Sequence, residues 1–229
     1  MTLVDHDPDA EVKLVTAMLY SHTHVPETQI EARVRAMTAD ERVQIVRAYH
    51  GDRTNRRHRP GRGLERIDYR FDVLADYGAF RDLQRHRMLT LEWQTLSPLH
   101  GYTRPEAIDL AGAAGAFDDA MARSAALHDD LLPQFPAQAA YAVALAYKVR
   151  FVMQMNAREA MHLLELRSGP QGHPAYREVA QEMHRLIAEE AGHPAVAEAM
   201  RYVDHSPEPS LERLEAERRA EARRSGGAS

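Results

Sequence analysis

The chain has 229 residues, 44% of them hydrophobic, enough to bury a core and to exclude global disorder. Acidic side chains number 34 against 29 Lys and Arg, and the formal net charge of −5 argues against a general nucleic-acid coating protein. There is no cysteine, which excludes disulfides, thiolate metal sites and thiol nucleophiles.

The opening MTLVDHDPDAEVK lacks the basic start and apolar run of a secretory signal. No stretch of about 18 apolar residues follows it, so no membrane partner and a soluble, cytoplasmic protein are expected. Residues 10–50 read as two helices. The first, Ala10 to Tyr20, carries Val12, Leu14, Val15, Met18 and Leu19 at helical spacing. The second starts near Thr38, with Glu41 placed to complete a capping box. A basic loop follows over 51–63. Leu64 to Val73 alternates Ile67, Tyr69, Phe71 and Val73 with Arg66, Asp68, Arg70 and Asp72, the pattern of a half-buried strand. Tyr77 to Arg87 returns to helical spacing, and Thr90 to Leu96 leans to strand. Pro105 suits the first turn of an Ala-rich helical run to about Leu132. Tyr141 to Met155 is apolar and fits strand or helix. Asn156 to Arg167, Pro174 to Ala191 and Pro194 to about Tyr202 read as helices. The expected fold class is α+β: one helix-rich domain over residues 1–205 around a small antiparallel sheet. A charged, disordered tail is expected over 206–229.

Four clusters can carry chemistry. Arg85-His86-Arg87 reads blandly as a basic helix end favoured by the macrodipole, and more sharply as a site for phosphates or an electron-rich ring. In the segment 156–167, Arg158 and His162 share a helix face, and Leu163, Leu164 and Leu166 can pack on the core. An amphipathic surface helix explains most of that segment, but not why the apolar run before it stops at Asn156. Glu159-x-x-His162 has the spacing of di-metal carboxylate sites, but one such helix with no matching pair gives no metal site. The loop with Arg53, Arg56, Arg57, His58, Arg59 and Arg62 is basic but lacks interleaved aromatics. It reads as solvated or anion-binding, with nucleic acid ranked last. No Gly-rich dinucleotide fingerprint, P-loop or nucleophile elbow occurs.

Taken in order, these clusters resemble the flavin-dependent thymidylate synthase family. Glu65, the alternating strand and Arg85-His86-Arg87 are similar to that family's core and to the start of its R-H-R signature, which continues with two residues, Ser, one residue, Asn-Glu, and later Ser and Arg. The segment 155–167 resembles its second block, N-x-R-S-L-x-H-F-L-x-L-R. The resemblance covers about residues 55–205. It implies an α+β fold, a homotetramer with active sites between subunits, FAD as cofactor, and dUMP as substrate, with NADPH and methylenetetrahydrofolate as co-substrates. It places Glu65, Arg85, His86, Arg87, Asn156, Arg158 and His162 on the flavin. Arg85, Trp93, Thr95 and Arg167 fall at substrate positions. Arg167 falls where a cation meets the pyrimidine and stabilises charge on the ring, the catalytic role. The family needs no enzyme cysteine, consistent with the composition.

The signature also departs from the family. Thr90 and Thr95 stand for its serines, Glu92 for Asn, Trp93 for Glu, and Ser97 for the closing arginine that holds substrate phosphate. A second phosphate-binding arginine aligns near Ala140, and Asp82 and His173 replace glutamines. Two lost cations remove charge-assisted hydrogen bonds of roughly 1.5–3 kcal/mol each. Arg81 or the loop 53–62 compensates, or the substrate differs, or the chain is one half of a tandem relative. An active synthase, a non-catalytic flavin- or nucleotide-binding homologue, and a flavoenzyme for another nucleotide are the three readings.

Overall fold

The sheet rests on two long strands, each apolar at every second residue. A computed structural model of the protein describes residues 1–206 and Arg218. The remainder of the tail expected over 206–229 lies outside the described residues. In chain order the elements are β1 (Thr2–His6), α1 (Ala10–Tyr20), α2 (Glu27–Arg35), α3 (Ala39–His50), β2 (Asp68–Asp76), α4 (Tyr77–Leu83), β3 (Thr90–Trp93), α5 (Glu106–Leu110), α6 (Ala114–Leu131), α7 (Pro136–Ala139), β4 (Lys148–Asn156), α8 (Ala157–Arg167), α9 (Pro174–Glu189) and α10 (Pro194–Ala199). The sheet order is β1-β2-β4-β3, antiparallel throughout.

The central pair, β2 and β4, matches all nine residues of each strand, from Asp68 opposite Asn156 to Asp76 opposite Lys148. Tyr69, Phe71 and Val73 face the same side as Phe151, Met153 and Met155, and all six are buried. Helices α4, α8 and α9 pack on that side. The other side carries exposed Arg70, Gln154 and Glu92 and an Arg150–Asp72 ion pair at 2.9 Å. One apolar and one polar face are what period-two alternation dictates.

Both central strands run straight into helices. The Asp76 carboxylate accepts from the Ala79 N–H at 2.8 Å, and the Asn156 side chain accepts from the Glu159 N–H at 2.9 Å. The stop at Asn156 is thus a strand end and a helix cap in one residue. Tyr141 to Met155 is strand only from Lys148, with a 3-10 turn at Ala140–Ala142.

Several expectations shift. Residues 10–50 hold three helices, because α2 was hidden by exposed polar residues and buries only Ile30 and Val34. Thr38 and Glu41 form the capping box as read. β1 adds an edge strand that the sequence pattern did not reveal. The strand expected from Leu64 begins at Asp68, after a 3-10 turn at Arg62–Arg66. The run from Pro105 to Leu132 is broken by Gly112, whose φ of 68° no helix accommodates, and Pro105 caps α5 rather than entering its first turn. α4 ends at Leu83, so Arg85-His86-Arg87 follows the helix instead of closing it. The last two helices stop at Glu189 and Ala199, short of Ala191 and Tyr202.

The basic loop is anchored by one buried guanidinium. Arg53, 6% exposed, meets the Glu165 carboxylate through two hydrogen bonds of 2.7 and 2.8 Å and donates to the Ala199 carbonyl at 3.2 Å. The Tyr202 hydroxyl donates to the Arg53 carbonyl at 2.7 Å. Nearby, both ring nitrogens of His50 are buried with no hydrogen-bond partner among the described residues. Burial first, and the Arg53 charge second, push the His50 imidazole down to about 4.

Two outcomes follow for stability. Arg53→Met strands the Glu165 carboxylate and lowers unfolding free energy by about 3–5 kcal/mol, whereas adding Glu165→Leu restores most of it, as read from urea midpoints. His50 is held neutral in the fold, so its contribution is full above its ordinary value of 6.5 and is lost as pH falls towards 4. It amounts to about 3 kcal/mol, and denaturation of His50→Gln at pH 7 and pH 4 shows a correspondingly smaller loss than the parent.

Candidate active site

The site forms where the chain leaving α4 meets the outer face of α8. After Leu83, which is buried, a turn closed by His86 N–H donating to the Leu83 carbonyl at 3.2 Å aims His86 inward. Arg85 and Arg87 on either side stay exposed. α8 turns Ala157, Ala160, Met161, Leu163 and Leu164 into the core. Glu159, His162 and Leu166 follow one another at helical spacing on the side facing His86. Leu166 is 40% exposed there, not part of the core as its periodicity suggested. The helix contributes Glu165 to the buried pair with Arg53 instead.

A hollow of about 220 Å³ results, lined by Arg85, His86, Arg87, Met88, Glu159, His162, Leu166 and Arg167. His86 Nδ1 lies 2.8 Å from Glu159 Oε1, and Arg167 Nε donates to His86 Nε2 at 3.1 Å. Arg167 Nη2 donates to the Asp82 carbonyl at 2.7 Å, and the guanidinium lies 5.5 Å from the centre of the Tyr176 ring. Among the described residues the Arg167 Nη1 atom has only the Asp82 carboxylate at 3.8 Å, and Asp82 is also 3.6 Å from Arg85. Arg87 makes no hydrogen bond or ion pair among the described residues. The hollow is therefore cationic, with the apolar side chains of Met88 and Leu166 exposed beside the charges.

Of the residues singled out by sequence, Arg85, His86, Arg87, His162 and Arg167 come together here. Asn156 caps α8 below them. Glu65 and Arg158 sit to one side, paired at 2.8 Å, with Arg158 also donating to the Pro60 carbonyl at 3.2 Å. Arg62 foremost, then Arg158, hold the Glu65 carboxyl below the usual carboxylate range. This pair ties the turn at 60–66 to the start of α8. Trp93 and Thr95 do not line the hollow: Trp93 is 56% exposed on the edge strand with its ring 5.5 Å from Phe80, and Thr95 is exposed. Glu159 does line it, and Asp82 supports it from outside through Arg167 and Arg85. The signal available was a glutamate in place of the second block's serine, and the Asp82 departure.

His86, Glu159 and His162 bring three potential ligand atoms within 4.8 Å of one another. Both ring nitrogens of His86 are already hydrogen-bonded, one of them to a guanidinium, and further arginines line the same hollow. That donor set disfavours a divalent cation. It fits a flavin: exposed cationic donors beside apolar surface suit a planar apolar ring system with an electron-rich edge and linked phosphates.

Solved structures share this architecture. A flavin-dependent thymidylate synthase from Helicobacter pylori, complexed with FAD and dUMP, superimposes with a TM-score of 0.60 over 83% of this chain and 95% of its own, at 16% identity. A UMP/dUMP methylase, PolB, from Streptomyces cacaoi, bound with 5-Br dUMP, gives 0.64 over 88% and 96%, at 18% identity. The fold is that of the flavin-dependent thymidylate synthases. The chain matches the thymidylate synthase complementing protein family over residues 2–193 and belongs to it. The match reaches the N-terminal helices and β1, beyond the 55–205 span of the motif resemblance. A UPF0159 protein of Chlamydia pneumoniae is 37% identical over 96% of this chain, and one of Thermoplasma acidophilum 34% over 94%. The chain spans only 41% and 43% of the length of these two relatives.

Replacing the Asn156 cap tests how α8 is seated. Asn156→Ala lowers stability by about 1 kcal/mol, measured as a shift in the urea midpoint with the transition slope unchanged.

Proposed function

We propose that this chain binds FAD and acts as a thymidylate synthase, methylating dUMP to dTMP with methylenetetrahydrofolate and NADPH as co-substrates. The observation that carries this reading is Arg167, held by His86 and the Asp82 carbonyl with its Nη1 atom making no hydrogen bond among the described residues, beside exposed cations and apolar side chains. FAD supplies the redox chemistry when bound.

Arg85, Arg87 and His162 hold and orient the cofactor from the hollow. Asn156, Glu65 and Arg158 keep the α8 start and the 60–66 turn in place around it. Arg167 donates to a pyrimidine carbonyl oxygen and stabilises negative charge as the ring is attacked. Trp93 and Thr95, on and just after the edge strand, are substrate contacts only across a subunit boundary. A hollow of about 220 Å³ is smaller than the roughly 300–1,000 Å³ of sites that enclose a small ligand. One chain thus forms part of the site and a second copy completes it, in a cytoplasmic homotetramer.

A second reading is a flavoenzyme for a different pyrimidine nucleotide. Ser97 and Ala140 favour it, because neither supplies the cation expected at a substrate phosphate, and the similar Streptomyces protein is named for UMP as well as dUMP.

Purified protein given FAD and desalted retains a flavin absorption band, and dUMP shifts it. Arg167→Ala keeps the band and weakens dUMP binding about tenfold or more. Flavin that responds to UMP but not dUMP selects the second reading. Colourless protein overturns both.

A further inference from the structure

The hydrogen bonds around His86 determine its protonation state without reference to any titration. A guanidinium is always protonated, so Arg167 Nε can only donate, and His86 Nε2 must accept. A neutral imidazole with its Nε2 lone pair engaged carries its single proton on Nδ1. That proton points at Glu159 Oε1, 2.8 Å away. A doubly protonated ring would set two N–H groups against each other at 3.1 Å. A protonated Glu159 donating to Nδ1 would leave the ring no proton. One arrangement satisfies every atom: carboxylate, Nδ1–H imidazole, guanidinium.

The enclosure makes this consequential. His86 is 8% exposed and Glu159 9%, and the Arg167 side chain is 15% exposed, so water does not easily substitute for a missing partner. Where the family's second block has a serine this chain has Glu159, and a one-carbon hydroxyl does not reach where that carboxylate stands.

We propose that Glu159 is a positioning residue: by accepting the Nδ1–H of His86 it fixes the tautomer whose Nε2 accepts Arg167 Nε–H, and so holds the Arg167 guanidinium in place at the hollow it lines. Both ring nitrogens of His86 are then committed within the protein. The imidazole touches a bound ring system through its face or carbon edge, never as a polar donor or acceptor. The ligand-facing part of this proposal rests on the function proposed above; the tautomer part does not.

The test is nitrogen-15 NMR of the histidine rings in the full-length protein, with no ligand added and His86→Gln used to assign the resonances. The expected spectrum has His86 protonated at Nδ1 and unprotonated at Nε2. Glu159→Ser and the near-isosteric Glu159→Met each move that signal towards the Nε2–H form, with circular dichroism confirming the fold. An Nε2–H or doubly protonated His86 in the parent protein, or an unchanged signal in a folded Glu159 variant, overturns the proposal. In the same variants dUMP affinity falls about tenfold, since Arg167 loses its orientation. An altered tautomer with unaltered dUMP affinity removes the positioning role and overturns that part of the proposal. A parent protein that binds no dUMP removes the functional reading and leaves the tautomer result standing.

Discussion

Everything in this molecule depends on the nine-residue register between β2 and β4. That ladder places Asp76 and Asn156 at opposite ends of the sheet, and each is at once the last residue of a strand and the cap of a helix. No loop separates sheet from helix at either end, so the directions of α4 and α8 follow from the pleat and the caps alone. Because both helices must lie on the apolar face, the chain leaving α4 is delivered to α8. A slip of one residue would put Phe71 and Met153 on opposite faces of the sheet and carry His86 away from Glu159.

The site inherits its chemistry from that convergence. α8 serves two masters along its length: Glu165 faces Arg53 under the basic loop, and Glu159 faces His86 in the hollow. Both are buried carboxylates, and each is matched by hydrogen bonds in place of solvent. The cations left over, Arg85 and Arg87, are the exposed ones. The buried network is satisfied within the protein; on the exposed rim Arg85 has only the Asp82 carboxylate at 3.6 Å, and Arg87 has no partner among the described residues.

How legible this was depended on how local each signal was. Thr38 with Glu41, the alternation around Phe71 and the apolar spacing of α1, α8 and α9 lie within one element and were readable. β1 has five residues and mixed polarity, and α2 turns only Ile30 and Val34 inward, too little for either pattern. Gly112 breaks the Ala-rich run through a backbone angle that composition does not display. The arginine and histidine clusters were visible as clusters. Their partners were not: Glu159 is 73 residues from His86 and Glu165 is 112 from Arg53, separations at which charge pairing leaves no trace in sequence. Trp93 shows the converse, a residue placed at the substrate by motif alignment that lies on the sheet edge, away from the hollow.

The Arg53 anchor also constrains the order of events during synthesis. Its guanidinium is enclosed by Glu165, Ala199 and Tyr202, contributed by the last third of the chain. β2 likewise has its principal strand partner only once β4 has been made. As the polypeptide leaves the ribosome, the first 147 residues therefore have neither a completed central ladder nor a neutralised anchor. Closure waits for the stretch between Lys148 and Tyr202, and until then the apolar side of β2 lacks β4, α8 and α9, which pack against it in the finished fold.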